Sequence, residues 1–106
     1  MLKLLKRIGI IDIGSNSIRL VVFDGPKRSP LYLYNEKVFF RLGMQSFGGK
    51  PFSTDTIEAV LRIINRYVAI CKNMGISKII IFGTSALREA SNSVALVELI
   101  QKTLTS

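Results

Sequence analysis

The sequence predicts an α/β fold on a mixed sheet, with elements in the order β-β-β-α-β-α. Three observations predict it. Three β-branched and aromatic runs, Ile8 to Ile13, Ile18 to Asp24 and Leu31 to Phe40, follow one another with little but turn residues between them. An apolar stripe then recurs at three- and four-residue spacing from Ile57 to Met74, the period of an amphipathic helix. A fourth apolar run, Lys78 to Phe82, follows Gly75 and returns the chain to the sheet.

Taken in order, the first run is bounded by Gly14, and Ser15-Asn16 supply turn residues. Two strands this close in sequence pair as an antiparallel hairpin. Gly25-Pro26 ends the second strand, and Lys27 to Pro30 makes another turn. In the third run Tyr32 and Tyr34 alternate with Leu31 and Leu33, the pattern of a half-buried strand. Arg41 to Pro51, with Gly43, Gly48 and Gly49, reads as a loop. The helical stripe is Ile57, Val60, Leu61, Ile64, Val68, Cys71 and Met74. Ser53 or Thr54 can cap its start, Asp55 and Glu58 suit its positive end, and Gly75 sits where a left-handed C-cap belongs. The fourth strand is apolar throughout, as expected of one covered on both faces. Gly83-Thr84 turns into a short helix, Ser85 to Ala90, and Ser93 caps a last helix running to about Leu104.

A chain of 106 residues that is 48% apolar is one small domain with a packed core, which excludes a disordered chain. Its formal charge of +8 points to a polyanion: polyphosphate, nucleotide, nucleic acid or acidic lipid. The basic residues are nevertheless spread from Lys3 to Lys102 without a long run, so a solvated surface accounts for them equally well. There is one cysteine and no histidine. This excludes an internal disulfide, Ser-His-Asp and Cys-His catalysis, and any histidine-ligated metal. Cys71 lies in the helical stripe and reads as a buried structural thiol. The reducing compartment this implies is the cytoplasm. The basic start at Met1 to Arg7 is followed by too short an apolar run for a signal peptide, and no stretch nears the roughly 20 apolar residues of a membrane span.

Two segments carry chemistry. In Asp12-Ile13-Gly14-Ser15-Asn16-Ser17-Ile18-Arg19 a carboxylate ends a strand and a glycine lets the backbone approach a ligand. Small polar residues then form a turn that can aim several amides at one phosphate. Asp12 can hold a divalent cation, since magnesium prefers oxygen ligands and keeps its waters. An ordinary hairpin turn, with Asp12 and Asn16 bonding nearby backbone, fits the same spacing. In Gly83-Thr84-Ser85-Ala86-Leu87-Arg88-Glu89-Ala90, Thr84 and Ser85 stand where a strand hands over to a helix N-terminus. Arg88, one turn on, can reach the same ligand with its fork. The alternative is that Ser85 is only an N-cap and Arg88 pairs with Glu89 or solvent. Asp12 and Thr84 both end strands that read as central, the place where open α/β sheets bind ligands, so one phosphate chain can bridge the two turns.

The run Ile11 to Asp24, IDIGSNSIRLVVFD, resembles the first phosphate motif of the exopolyphosphatase / guanosine pentaphosphate phosphohydrolase family. Arg41-Leu42-Gly43 resembles its next signature, and Thr84 to Ala90 with Asn92 its third. The Ser-Asn-Ser-Ile-Arg continuation separates these motifs from sugar kinases, chaperones and other actin-like ATPases. The resemblance implies an actin-like (ribonuclease H-like) half-domain: residues 1–106 would form a single incomplete N-terminal lobe. It implies Mg2+ as cofactor, with Asp12 facing the metal or phosphate. Gly14, Ser15, Asn16 and Ser17 would be the phosphate loop, and Thr84, Ser85 and Arg88 would bind the chain from the opposite side. The implied partner is polyphosphate or a phosphorylated guanosine nucleotide, rather than nucleic acid or a membrane.

Two departures stand out. Met44 follows Arg-Leu-Gly where the family often has an acidic residue. The family's catalytic glutamate, in a Gly-x-Glu-Glu-Ala segment, and its second Gly-rich phosphate loop are not among these 106 residues. Glu89 and Glu98 do not sit in that motif and are not substitutes. No catalytic residue is therefore expected here, the fourth strand would be left as an open edge, and self-association or dependence on a missing lobe would follow. A non-catalytic polyanion-binding or regulatory module is the competing expectation.

Overall fold

The computed structural model describes residues 7–24, 32–76 and 78–105. The start at 1–6, the turn at 25–30 and Leu31 lie outside the described residues. The element order matches the expectation: β1 (Ile8–Ile13), β2 (Ser17–Phe23), β3 (Tyr32–Phe39), a short helix α1 (Leu42–Gln45) with a 3-10 turn at Phe47–Gly49, α2 (Thr54–Asn73), β4 (Lys78–Gly83), α3 (Ser85–Glu89) and α4 (Ser93–Thr105). The sheet runs β3-β2-β1-β4. β1 pairs antiparallel with β2 and parallel with β4, which makes the sheet mixed.

Strand alternation decides which face is covered. Ile11 and Ile13 of β1 and Ile18, Leu20 and Val22 of β2 are fully buried on one face. Against them pack Val60, Ile64, Tyr67, Val68 and Cys71 of α2 and Leu96 and Ile100 of α4. Each of the valine, leucine and isoleucine side chains among them contributes about 1.5–3 kcal/mol by leaving water. Tyr67 is wholly buried, and its hydroxyl donates to the Ile18 carbonyl at 2.8 Å. Burial pushes its pKa up to about 12. Burial likewise raises the Cys71 thiol, the mark of an inert structural cysteine.

The α2 boundaries follow their sequence signals. The Ser53 hydroxyl accepts from Thr56 N–H at 3.1 Å. At the other end Gly75 has φ 74°, Ile76 N–H donates to Cys71 O and Gly75 N–H to Lys72 O, the double bond of a Schellman motif.

Three expectations need correction. β4 is an edge strand, as one expectation had it, so it is neither central nor covered on both faces. Ile79, Ile81 and Gly83 are in register with the covered residues of β1, whereas Ile80 and Phe82 face the uncovered side and Phe82 is 56% exposed. Its apolar run does not distinguish these situations. Arg41 to Pro51 is not plain loop, because α1 and the 3-10 turn fold it back, with Leu42 and Ser46 fully buried. The last helix begins at Ser93 itself, so Ser93 is not its cap.

Candidate functional site

The hairpin turn between β1 and β2 is held from outside. Gly14 N–H donates to Ser17 O at 2.8 Å and closes the turn. Phe40 N–H then donates to Asn16 O and Gly43 N–H to Ser15 O, both at 2.9 Å. The segment from Phe40 to Gly43 is thus laced to the turn, and a Cβ at Gly43 would collide with the Ser15 side chain. A side chain there would require the Ser15 hydroxyl to turn aside. Neither Ser15 nor Asn16 has a positive φ, so the turn is not the usual primed two-residue hairpin.

A second set of bonds brings α3 alongside. Thr84 N–H donates to Ile13 O at 3.0 Å, joining the ends of β4 and β1. The buried Ser46 hydroxyl donates to Ala86 O at 3.1 Å and fastens the α1 segment to α3. The result is a cleft of about 380 Å³ lined by Ser15, Asn16, Gly43, Met44, Phe47, Ser85, Ala86 and Glu89. Thr84, rather than Ser85, is the N-cap of α3, and its side chain makes no cap bond. The Ser85 and Ala86 N–H groups, in the first helical turn, have no intrahelical acceptor. No side-chain hydrogen bond of Asp12 or Asn16 occurs among the described residues.

The structure therefore brings Ser15, Asn16 and Ser85 to one cleft, with Gly14, Ser17 and Thr84 as its backbone frame. It does not bring Asp12 or Arg88 there. Asp12 is exposed on the uncovered sheet face, in register with Arg19 on one side and Phe82 on the other. Arg88 donates to Gly83 O at 3.0 Å and lines a separate hollow of about 330 Å³ with Leu87, Val97 and Ile100. Sequence reasoning missed Glu89 as a cleft residue. It lies four residues after Ser85, and that i,i+4 spacing puts both on one helix face. A larger hollow, about 570 Å³ along α4, holds none of these residues.

Asn92 has a different task from its motif neighbours. Its side-chain amide donates to Phe52 O at 3.0 Å and its carbonyl accepts Phe52 N–H at 2.8 Å. Away from the cleft, Arg66 makes a two-pronged ion pair with Glu36, which also accepts from the Tyr34 hydroxyl. The Arg66 bonds, and then Tyr34, hold the Glu36 carboxyl below its usual range.

Comparison with known proteins places this geometry. Residues 21–106 match the model of the Ppx/GppA phosphatase family. The chain is 26% identical over 97 residues to Exopolyphosphatase 1 of Mycobacterium bovis, covering 91% of itself and 28% of that protein. The Mycobacterium leprae Exopolyphosphatase 1 is also 26% identical, with 29% of its length covered. The Aquifex aeolicus Ppx/GppA family member superposes with a TM-score of 0.84 at 21% identity, over 95% of this chain and 33% of that one. An exopolyphosphatase from Cytophaga hutchinsonii gives 0.83 at 29% identity, over 93% and 32%. The chain spans about a third of the length of these relatives. The motifs, the mixed sheet with its strand-end cleft, and the family match together lead to one conclusion: the chain belongs to the Ppx/GppA phosphatase family.

Proposed function

We propose that this chain is the N-terminal phosphate-binding part of an exopolyphosphatase / guanosine pentaphosphate phosphatase, an enzyme that hydrolyses terminal phosphoanhydrides. The observation that carries this reading is the meeting of Ser15, Asn16 and Ser85 in one cleft at the carboxyl ends of β1 and β4. Hydroxyls and first-turn amides there offer hydrogen bonds to phosphate oxygens, against which the Glu89 carboxylate on the same cleft wall would act. Asp12, exposed beside the turn, is the residue that would hold Mg2+. A single exposed carboxylate fits an ion that keeps most of its waters. Bound there, the ion would offset the charge of the phosphate chain. Arg88 would join the site only by leaving the Gly83 carbonyl. The proposed setting is cytoplasmic, and among the described residues no helix is long and apolar enough to cross a membrane.

Substituting Ser85→Ala together with Ser15→Ala is expected to weaken pyrophosphate binding about tenfold by calorimetry, the loss of one or two charge-assisted bonds. Unchanged affinity would remove the cleft from the account. No Gly-x-Glu-Glu-Ala segment occurs in this sequence and Glu89 is not in such a motif, so these 106 residues are proposed to bind without appreciable turnover. Magnesium-dependent phosphate release from long-chain polyphosphate by this chain would contradict that.

The uncovered sheet face and the β4 edge are proposed to drive self-association or docking of a further lobe. Sedimentation at micromolar concentration should show species above the monomer. A monodisperse monomer counts against it.

A further inference from the structure

β3 is one edge of the sheet, with β2 beside it and no described strand beyond. Phe40 N–H donates to Asn16 O, and in an antiparallel pair such bonds fall on every second residue. The N–H and C=O groups of Lys37 and Phe39 therefore point away from β2, open to pairing with a further strand. On the α2 side of this edge, Val38, Phe40, Ala59 and Ile63 line a hollow of about 260 Å³ together with Arg62 and Arg66. Arg66 and the Tyr34 hydroxyl already occupy the Glu36 carboxylate. Arg62, one turn earlier on α2, is exposed and makes no hydrogen bond or ion pair with a described residue, Glu58 included. On the opposite side Phe39 is 81% exposed, and the Lys37 ammonium lies 5.4 Å from its ring centre. Each side of the edge thus sets bare apolar surface beside a cation that has no carboxylate partner among the described residues.

We infer that the β3 edge is a docking site for an extended acidic segment of another protein, which adds a strand to the sheet. The segment's backbone bonds to Lys37 and Phe39, and side chains alternate between its two sides. On one side an apolar group enters the hollow while a carboxylate two residues along reaches Arg62. On the other an apolar group covers Phe39 while a carboxylate meets Lys37. The complementarity of charge selects the acidic partner, and the strand edge selects its extended form. A phosphate chain or nucleic-acid backbone has no use for the edge amides or the hollow. A second copy fits worse, because its β3 brings Lys37 to an edge already cationic and its one carboxylate, Glu36, is already held. The inference is independent of the phosphate-binding reading of the cleft.

The test is fluorescence anisotropy of the 106-residue chain with a labelled, end-blocked peptide of repeating Glu-Glu-Val-Val, which carries a carboxylate and an apolar group on each side of a strand. Saturable binding is expected. The same peptide with prolines for its central valines keeps the charge but cannot pair, and should bind about tenfold more weakly. Arg62→Ala should weaken the original peptide about fivefold, the loss of one exposed ion pair. Lys78→Ala, on the β4 edge, is the charge-matched control and should change nothing. In the unaltered chain the amide shifts of Lys37 and Phe39 should move more than those of Glu36 and Val38, which already bond to β2. Equal binding of the proline peptide, unchanged affinity in Arg62→Ala, or an equal loss in Lys78→Ala would overturn the strand site in favour of bulk charge. Shifts centred on β4 would overturn it in favour of the other edge. A doubled mass in sedimentation that the peptide does not reverse would give the edge to a second copy, and no saturable binding at millimolar peptide would remove the site. A thermal midpoint unchanged in Arg62→Ala excludes misfolding as the cause.

Discussion

Gly9→Val is expected to destabilise the chain by about 3 kcal/mol, at the upper end of what overpacking costs. For a domain this size that lowers the thermal midpoint on the order of 15 °C. Strand propensity argues the other way, since valine is favoured and glycine disfavoured within a strand. Packing decides. Gly9 sits mid-strand between Val22 and Ile79, and a Cβ there would stand 2.8 Å from Cys71 Sγ on α2. α2 therefore crosses the sheet where β1 has no side chain. Gly9→Ala should cost less, about 1 kcal/mol, and Cys71→Ala in the same chain should relieve it. Urea denaturation of the two single variants and the double variant gives the coupling directly. A fully stable Gly9→Val, or additive effects of Gly9→Ala and Cys71→Ala, would show that α2 does not approach β1 in this way.

Asn92→Ala is expected to cost about 2 kcal/mol while leaving anion affinity unchanged. Asn92 satisfies both backbone groups of Phe52, whose side chain is 3% exposed, across forty residues of sequence. Its loss leaves a donor and an acceptor poorly paired at a partly buried corner. Asn92→Asp should be no better, because a carboxylate would then face the Phe52 carbonyl. Denaturant midpoint and pyrophosphate titration, measured together, separate the two roles. A stable Asn92→Ala with much weakened binding would move Asn92 into the site.

These two residues show what the sequence made legible and what it did not. The strands, the α2 stripe, the Ser53 cap and the Gly75 C-cap were readable because local periodicity and backbone conformation determine them. The turns holding Ser15, Asn16 and Ser85 were readable as turns because glycine and small polar residues end the strands, whereas spacing alone did not separate a phosphate loop from an ordinary turn. The exposure of Phe82 was not readable, since an apolar strand looks the same whichever face is covered. The α1 turn was hidden by three glycines, although the burial of Leu42 and the Ser46–Ala86 bond fix its place. The orientations of Asp12 and Arg88 depend on strand register and on a competing carbonyl at Gly83, neither of which spacing reveals.

The central claim is that the β1–β2 turn and the start of α3 hold one phosphate group between them. It is tested most directly by backbone amide chemical shifts during titration with pyrophosphate. The account predicts saturable shifts centred on Ser15, Asn16, Gly43, Ser85 and Ala86, with little change along α4. Shifts confined to α4, or none at millimolar pyrophosphate, would contradict it.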